Sequence, residues 1–199
     1  MNALEVLNRN LFLQLNAGAQ TGAGMISIAT LIADVLIYLI PLALLVAWLW
    51  QPERRQLAVR ASLVCFIALG IGQMLALFWP HPRPFMIGLG HAWIPHAADA
   101  SFPSDHGIVF ASMACSLLLT GELVWGVLTA IMGIAVAWSR IFLGVHFPLD
   151  MLGALMVSLF AYALLLPFWS RWGAALVLTT EKLYRKLLAW PIARGGIRA

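Results

Sequence analysis

Long apolar runs set the strongest limit on what this chain can fold into. Five of them stand out, at residues 25–50, 57–79, 106–120, 123–138 and 149–169. A helix needs about 20 apolar residues to cross a bilayer. Hydrophobic residues make up 62% of the sequence and charged residues only 10%, which excludes a soluble globular domain and a disordered chain. We therefore predict an all-α fold, a polytopic membrane helix bundle of about five transmembrane helices.

The uneven distribution of basic residues predicts how these helices are oriented. Nine of the twelve lie between the first two runs, close by at the start of the second, or after the fifth: Arg54, Arg55, Arg60, Arg171, Lys182, Arg185, Lys186, Arg194 and Arg198. Basic residues concentrate on the cytoplasmic side of membrane proteins, so five spans place the connections 80–105 and 139–148 outside. Because the basic residues are few and scattered, the pI of about 9.6 does not indicate a nucleic-acid partner.

Both ends of the chain are expected to form helices at the membrane surface. Residues 3–16 are interpreted as a retained interfacial helix, because the alternative, a cleaved signal peptide, requires a basic cluster and a longer apolar core. Residues 174–190 predict a cytoplasmic basic helix that lies on the inner leaflet. No room remains for a separate soluble domain, so residues 1–199 are expected to form a single integral-membrane domain.

Histidines concentrate in one part of the sequence. All five lie in or beside the two external connections: His81, His91, His96, His106 and His146. Random placement would scatter them, so chemistry is expected at this surface. Cys65 and Cys115 lie inside apolar runs and are interpreted as small hydrophobic side chains, and the sequence has no CxxC or HExxH pattern. No metal site is predicted.

The segment that begins the fifth run combines a histidine with a carboxylate. Pro148 suits the first turn of a helix, which places Asp150 in that turn and His146 just before it. A carboxylate there can accept the ring N–H of His146, fix its tautomer and leave the other nitrogen free as a nucleophile or base. The alternative is that Asp150 only caps the helix and that His146 is nearby by chance.

The start of the third run has the pattern of an anion site. Ser104 is a good N-cap, and the backbone N–H groups of Asp105, His106 and Gly107 would point outward from the helix start. His106 could also donate a proton to a leaving oxygen. The alternative is simple helix capping.

Two arginines complete the predicted cluster. Arg83 lies between two prolines, which keep the backbone extended and aim the guanidinium, although an arginine at a membrane face can also be a snorkelling anchor. Arg83 and Arg140 are the only basic residues of the external connections. Together with Ser104, a helix N-terminus and two histidines, they predict a phosphate site that needs no metal.

These residues resemble the motifs of the phosphatidic acid phosphatase type 2 superfamily, which includes membrane lipid phosphatases and vanadium haloperoxidases. The third motif of that family, SRx5HxxxD, is matched in full by Ser139, Arg140, His146 and Asp150. The match is specific because it fixes four residues at set spacings.

The other two family motifs are matched in part. The motif PSGH appears as residues 103–106, with Asp105 where the family usually has glycine. The motif Kx6RP appears as Arg83-Pro84, with Ala76 at the lysine position, and nearby Gln73 and His81 are candidates to compensate for the lost charge. Residues 80–85 and 102–107 look like those of one branch, the bacterial undecaprenyl-diphosphate phosphatases.

The resemblance implies a role for each matched residue. His146 would attack phosphorus and form a phosphohistidine, Asp150 would orient it, and His106 would protonate the leaving phosphate. The phosphoryl oxygens would be held by Arg83, Ser104 and Arg140 and by the helix start at Asp105 and Gly107. No cofactor is implied.

The resemblance also implies a substrate and a location. The chain would hydrolyse undecaprenyl diphosphate to undecaprenyl phosphate and inorganic phosphate, and so recycle the lipid carrier of cell-wall synthesis. It would lie in the bacterial inner membrane with its active site facing the periplasm. Its partners would be the polyprenyl diphosphate and the bilayer, and the oligomeric state stays open.

Other functions remain open at this stage. The phosphohistidine could pass its phosphoryl group to a lipid such as lipid A, or the substrate could be phosphatidate or phosphatidylglycerophosphate. A transporter is a further alternative, but transporters usually show internal repeats and mid-membrane breaks. Asp34 lies inside the first run, where a carboxylate is costly and therefore invites a functional hypothesis, such as pairing with a polar group on a neighbouring helix.

Overall fold

The computed structural model describes residues 3–199, and within them the regular structure is entirely helical. The α-helices are α1 (Ala3–Leu15), α2 (Ala23–Val35), α3 (Leu39–Trp50), α4 (Arg55–Phe78), α5 (Asp105–Leu119), α6 (Leu123–Phe142), α7 (Pro148–Leu187) and α8 (Ala189–Ala193). Short 3-10 turns cover Leu36–Tyr38, Pro52–Arg54 and Pro84–Ile87. The all-α prediction is confirmed.

Every predicted apolar run is helical, but the runs differ in length. Within residues 3–199, four helical segments are long and apolar enough to cross a bilayer: Ala23–Trp50, Pro52–Phe78, Leu123–Phe142 and Pro148–Leu187. The third run forms α5, which has 15 residues and is therefore about 22 Å long. Since α5 packs against α4, α6 and α7, it is the short central helix of a multi-pass membrane bundle.

Small residues let the central helices approach closely. Val64 and Ala68 of α4 pack with Ile108 of α5 and with Ala154 of α7 in one buried cluster. A Cβ added at Gly107 would lie 2.8 Å from the Cβ of Ala154, so α5 and α7 touch where this glycine lies. Such small-residue contacts are how membrane helices pack tightly, and here they fix the start of α5 beside the start of α7.

The first apolar run contains a break that the sequence analysis did not predict. After Val35 the chain forms the 3-10 turn Leu36–Tyr38 before it continues as α3. Pro41 lies in the first turn of α3, where it lacks the N–H that an unbroken helix would use. Because α2 ends at Val35, Asp34 is its penultimate residue and lies beside the break.

The basic C-terminal helix is present, but it is not a separate element. Residues 174–187 continue α7 without interruption, so α7 has 40 residues. At 1.5 Å per residue it is about 60 Å long, twice the thickness of a bilayer core of about 30 Å. The rise in charge after residue 170 therefore marks where α7 extends beyond its apolar part, not where a new helix starts.

The connections at the two ends of the bundle are very different. At the end that we call the loop end, the connection 79–104 meets the connection 143–147, because Ser101 lies against His146 and Ser104 donates its N–H to the carbonyl of Asp150 at 3.3 Å. At the opposite end, which we call the tail end, the C-terminal residues fold back. There Arg55 and Tyr184 both donate to the carbonyl of Arg198.

Candidate active site

His146 is held in the five-residue connection between α6 and α7. Its side chain is buried, with only 2% of the residue exposed. Ring atom Nδ1 lies 3.2 Å from Oδ2 of Asp150 and 3.0 Å from the carbonyl oxygen of Ser101. Pro148 and Asp150 lie in the first turn of α7, as the sequence analysis expected. The structure therefore brings the predicted histidine and carboxylate together.

Asp150 is fixed by three groups that converge on one carboxylate oxygen. Its Oδ2 accepts from the backbone N–H of Phe147 at 2.7 Å, from the hydroxyl of Ser101 and from the ring of His146. The N–H bond is half of a capping box, so the capping role that was weighed against the functional one is real. The two roles coexist, because the carboxylate that caps the helix also orients the histidine.

Arg83 reaches the same histidine from the other side. Its Nη1 lies 3.0 Å from Nε2 of His146 and donates to the carbonyl of Val145 at 2.9 Å. Its Nη2 donates to the carbonyl of Ala100 at 3.2 Å, and its Nε donates to Asp99 at 2.8 Å. With four partners and 5% exposure, this guanidinium is rigidly placed and is not a snorkelling anchor.

The partners of His146 determine which ring nitrogen carries the proton. Arg83 can only donate, so Nε2 accepts, whereas Asp150 and the Ser101 carbonyl can only accept, so Nδ1 holds the hydrogen. Burial, followed by the positive charges of Arg83 and Arg140, holds the pKa of His146 well below its ordinary value of 6.5. The ring is therefore neutral, with a lone pair on Nε2.

Ser104 caps α5 in the predicted way. Its hydroxyl oxygen accepts the backbone N–H of Gly107 at 3.3 Å, and the residue is fully buried. The N–H of Gly107 thus bonds within the cap in this structure, and the absence of a side chain there permits the contact with Ala154. The role of Gly107 in phosphate binding stays a prediction.

Asp105 points to a partner on α4. Both of its carboxylate oxygens lie near Nε2 of Gln73, at 3.1 and 3.3 Å. The side chain of His81, the other candidate to replace the missing lysine, lies with Nε2 3.6 Å from Glu5 of α1. Asp105 as part of the phosphate site likewise stays a prediction, and its observed contact is a bond between α4 and α5.

Arg140 and His106 face a cavity of about 540 Å³ beside this cluster. Arg140 lies in the last turn of α6 and is only 4% exposed, and its Nε is buried without a hydrogen-bond partner among the described residues. The cavity is also lined by His96 and, on the side of the first run, by Asp34. An unpartnered guanidinium donor at the wall of a polar cavity is suited to an anion. Asp34 therefore faces the candidate site.

Two residues of the site, Ser101 and Asp99, were missed by the sequence analysis, and a third, His96, was noted only as one of the clustered histidines. Ser101 bonds to Asp150, Asp99 bonds to Arg83, and the ring of His96 packs edge-on against His146 with centroids 6.2 Å apart. Burial alone would raise the pKa of Asp99, but the hydrogen bond and charge of Arg83 outweigh it and lower the pKa. These residues lie in an irregular connection, where no spacing rule reveals which side chains turn inward.

Chemically, the cluster combines a nucleophile with charge stabilisation. Nε2 of His146 has a lone pair, Asp150 can stabilise positive charge on the ring, and Arg83 and Arg140 can pair with negative oxygens. His106, on the cavity wall, is placed to exchange a proton with a bound group. This set of groups is suited to phosphoryl transfer.

Comparison with known proteins extends these observations. The profile of the PAP2 superfamily matches residues 57–174, which include the whole predicted site. YbjG of Escherichia coli (strain K12), provisionally named an undecaprenyl-diphosphatase, is 38% identical over 196 residues, covering 98% of this chain and 99% of its own. Undecaprenyl-diphosphatase BcrC of Bacillus subtilis (strain 168) is 32% identical over 154 residues, covering 77% and 79%.

A solved structure supports the same fold. The crystal structure of Aquifex aeolicus LpxE superimposes with a TM-score of 0.68 at 23% identity, covering 81% of this chain and 95% of that chain. At this identity the likeness concerns the arrangement of helices alone.

Proposed function

We propose, on the premise that this chain belongs to the PAP2 superfamily and is a membrane phosphatase, that it hydrolyses undecaprenyl diphosphate to undecaprenyl phosphate and inorganic phosphate. The chemistry rests on one observation, the placement of neutral His146 between Asp150 and Arg83. The choice of substrate rests on the names of relatives that are 32–38% identical. In a cell, this reaction would return the lipid carrier of cell-wall synthesis to its reusable form.

In the first step, the Nη1–H of Arg83 bonds to a phosphoryl oxygen in place of Nε2 of His146, and the freed lone pair of Nε2 attacks the terminal phosphorus. The new N–P bond forms as the bond from phosphorus to the bridging oxygen breaks, and that electron pair leaves with undecaprenyl phosphate. His106 supplies a proton to the departing oxygen. The ring of His146 becomes positively charged, and Asp150 stabilises that charge from 3.2 Å while keeping Nδ1–H in place.

In the second step, water attacks the phosphohistidine and inorganic phosphate leaves. His106, now without its proton, acts as the base toward that water, and Nε2 of His146 recovers its lone pair. Through both steps Arg83, Arg140, Ser104 and the start of α5 offset the negative charge on the phosphoryl oxygens. These donors are guanidinium, hydroxyl and N–H groups, so this mechanism requires no metal.

The large cavity suits the remaining part of the substrate. Arg140, His96 and His106 line one wall and can approach the phosphate that stays on the lipid. Tyr38, on the opposite wall, is largely exposed on the outside of the helices, so the cavity extends to where the lipid chain would lie. A diphosphate lipid is thus expected to be turned over faster than the corresponding monophosphate.

Phosphate release by detergent-purified protein tests the reaction and the substrate together. Undecaprenyl diphosphate, farnesyl diphosphate and phosphatidate are compared by kcat/KM, with chelator present and no added acceptor lipid. We expect both diphosphates to be preferred, activity to survive the chelator, and vanadate to inhibit by resembling the five-coordinate phosphoryl state. A preference for phosphatidate would reject the carrier-recycling role. In a parallel assay with lipid A added, transfer of phosphate to that lipid, together with no phosphate release in its absence, would identify a phosphotransferase.

The site is further proposed to face the periplasm from the bacterial inner membrane. The positive-inside rule supports this, because nine of the twelve basic residues lie toward the tail end: Arg54, Arg55, Arg60 and the six that follow residue 169. Only Arg9, Arg83 and Arg140 lie toward the loop end. In a background without Cys65 and Cys115, Ala98→Cys should react with an impermeant thiol reagent on intact spheroplasts. Gln56→Cys at the tail end should not. The reverse pattern would overturn the orientation.

Expression in a living cell gives an independent measure of the same role. Bacitracin sequesters undecaprenyl diphosphate, so an enzyme that removes this lipid should raise resistance. Overexpression of the chain is expected to increase the inhibitory concentration of bacitracin, and the His146→Ala variant at equal membrane abundance is the matched control. Equal resistance with both proteins would contradict the proposal.

A further inference from the structure

Helix α1 has an unusual distribution of polar and apolar side chains. Asn8 is buried, with 2% exposure, whereas the adjacent Leu7 is 53% exposed. Leu4 and Leu11 are exposed on the outside as well, and Phe12 is completely buried. This interfacial helix places leucines toward lipid and amides toward protein. A buried amide without a hydrogen-bond partner is costly, so these amides need partners within the protein. The partners of the amides therefore indicate what α1 does.

The inner face of α1 meets the connection that carries His146. The side-chain carbonyl of Asn8 accepts the backbone N–H of Leu149 at 3.1 Å. The ring of Phe12 packs edge-on against Phe147, with centroids 5.3 Å apart. Residues 8 and 12 are four positions apart and so lie on one face of the helix.

Asn16, one residue after α1 ends, continues this face to the other side of the connection. Its amide donates to the carbonyl of Phe142, the last residue of α6, at 3.0 Å. The following residue, Ala17, donates its backbone N–H to the same carbonyl at 2.9 Å. Contacts from α1 thus reach the end of α6, the residue after His146 and the start of α7.

Asn8 supplies a cap that α7 lacks within its own sequence. The first N–H groups of a helix have no partner inside it. Phe147, the N-cap residue of α7, has no side-chain acceptor, so the N–H of Phe147 uses Asp150 and the N–H of Leu149 uses Asn8. The turn that carries Asp150 therefore depends on a residue more than 140 positions away in the sequence.

The same face of α1 also holds the connection 79–104. Asn16 donates to the carbonyl of His91 at 2.9 Å and accepts the N–H of His91 at 2.7 Å. Gly90 has a φ of +69°, and a Cβ there would lie 2.7 Å from the ring of Phe12 and would also clash with the amide oxygen of Asn16. The fit requires glycine, which shows how closely α1 and this connection pack.

We propose that α1 is a positioning element for the nucleophile and that Asn8, Phe12 and Asn16 are its positioning residues. This inference rests on the proposed role of His146. By holding both ends of the short connection, α1 fixes the distance and angle between His146 and the phosphorus. A displacement of about 1 Å in such a geometry costs about 100-fold in rate. The residues do not touch substrate, so their loss lowers kcat and leaves KM nearly unchanged.

The test compares Asn8→Ala with two matched variants, Asn8→Asp and Leu7→Ala. Asn8→Asp keeps an acceptor oxygen for the N–H of Leu149, and Leu7→Ala changes the exposed face of the same turn. Each protein is purified in the same detergent, and kcat and KM on farnesyl diphosphate are measured. Hydrogen exchange of residues 142–150 is followed by mass spectrometry, and the melting temperature reports overall folding.

Asn8→Ala is expected to lower kcat by about 10- to 100-fold, with KM within about threefold and faster exchange at residues 142–150. Asn8→Asp should recover most of the lost kcat, and Leu7→Ala should behave as wild type. Faster exchange with an unchanged kcat would overturn the positioning role, as would loss of activity that only follows a general fall in melting temperature. If Asn8→Ala does not fold, the same readouts on Phe12→Leu decide the question.

His146→Ala in the same series separates this inference from the proposed function. If His146→Ala is inactive and the α1 variants keep full kcat, the positioning role fails and the nucleophile assignment stands. If His146→Ala keeps its activity, the nucleophile assignment fails, and the positioning role fails with it whatever the exchange data show.

Discussion

Two buried arginines, one at each end of the bundle, are alike in exposure and differ in what surrounds them. At the tail end Arg55, 1% exposed, donates to the carbonyls of Trp48 at 2.9 Å and Arg198 at 2.7 Å. Its third nitrogen, Nη1, has no hydrogen-bond partner among the described residues, but it lies 3.6 Å from the carboxylate of Glu181. The ring of Tyr184 covers the guanidinium at 4.8 Å. At the loop end Arg140, 4% exposed, borders a cavity and has an Nε without a partner among the described residues.

The comparison shows that burial of an arginine does not by itself indicate a binding site. Arg55 has its countercharge, its acceptors and an aromatic cover within the protein, which is the pattern of a structural clamp. Arg140 faces space and polar side chains, which is the pattern of a group that waits for a ligand. If this distinction is correct, changes at the loop end should alter turnover and changes at the tail end should alter stability.

The largest loss of activity is expected for His146→Ala. Removing the nucleophile should lower kcat by at least about 1,000-fold, while the melting temperature in detergent stays close to that of the wild type. Turnover of farnesyl diphosphate by protein of verified folding is the measurement. Substantial remaining turnover would reject the nucleophile assignment, and a collapse of the melting temperature would place His146 among the structural residues.

Asp150→Asn should cause the next largest effect. The histidine remains, but the amide cannot stabilise positive charge on the ring and can donate where the carboxylate only accepts, so the wrong tautomer becomes accessible. A fall in kcat of about 100- to 1,000-fold is expected, with weak activity left. Glu181→Gln, at the tail end, is the matched carboxylate change. Similar losses in the two variants would erase the distinction between the ends.

Lysine in place of each arginine tests the two ends directly. Arg140→Lys keeps the charge but loses the forked donor set, so kcat/KM should fall by about 10- to 100-fold with little change in stability. Arg55→Lys should instead lower the free energy of unfolding by about 2 kcal/mol, because the two carbonyls and Glu181 lose a geometry matched to them. Activity per folded molecule and denaturation in detergent separate the two results, and an exchange of the two phenotypes would contradict the assignment.

The smallest expected effect is in the pH dependence of kcat/KM, and it concerns the loop end alone. All five histidines lie in or beside the loop-end connections, so the proposed reacting histidine belongs to that end. Because the pKa of His146 is lowered well below 6.5, its neutral, nucleophilic form persists as the pH falls through 6.5. The acid limb of kcat/KM should therefore lie well below the ordinary histidine pKa of 6.5. A loss of activity with a midpoint at the ordinary pKa of histidine, about 6.5, would contradict the buried, neutral nucleophile.

Local rules account for what could be predicted from the sequence. Apolar runs predicted the helices, Pro148 predicted that Asp150 lies in the first turn of α7 just after His146, and Ser104 followed the rule for N-caps. Each depends on residues within four or five positions of one another. Such contacts are set by helix geometry, which a sequence specifies directly.

Contacts between distant segments account for what could not be predicted. Ser101 reaches Asp150 across 49 positions and Asn8 reaches Leu149 across 141, and neither follows a spacing rule. The extent of α7 was missed for a different reason, because a change from apolar to basic residues alters the surroundings of a helix without ending it. The partner of Asp105 on α4 was likewise beyond reach, since it depends on how two helices are aligned.

The break in the first apolar run has a consequence for how this protein could diversify. Thr30, Asp34 and Tyr38, which line the cavity from that run, all precede residue 57, where the match to the superfamily begins. The proposed reacting groups all follow it. Inherited changes in the first run can therefore reshape the space around a lipid while the reaction itself is preserved. One wall of the cavity is thus encoded apart from the proposed reacting groups, whereas the wall that contains His96, His106 and Arg140 is encoded together with them.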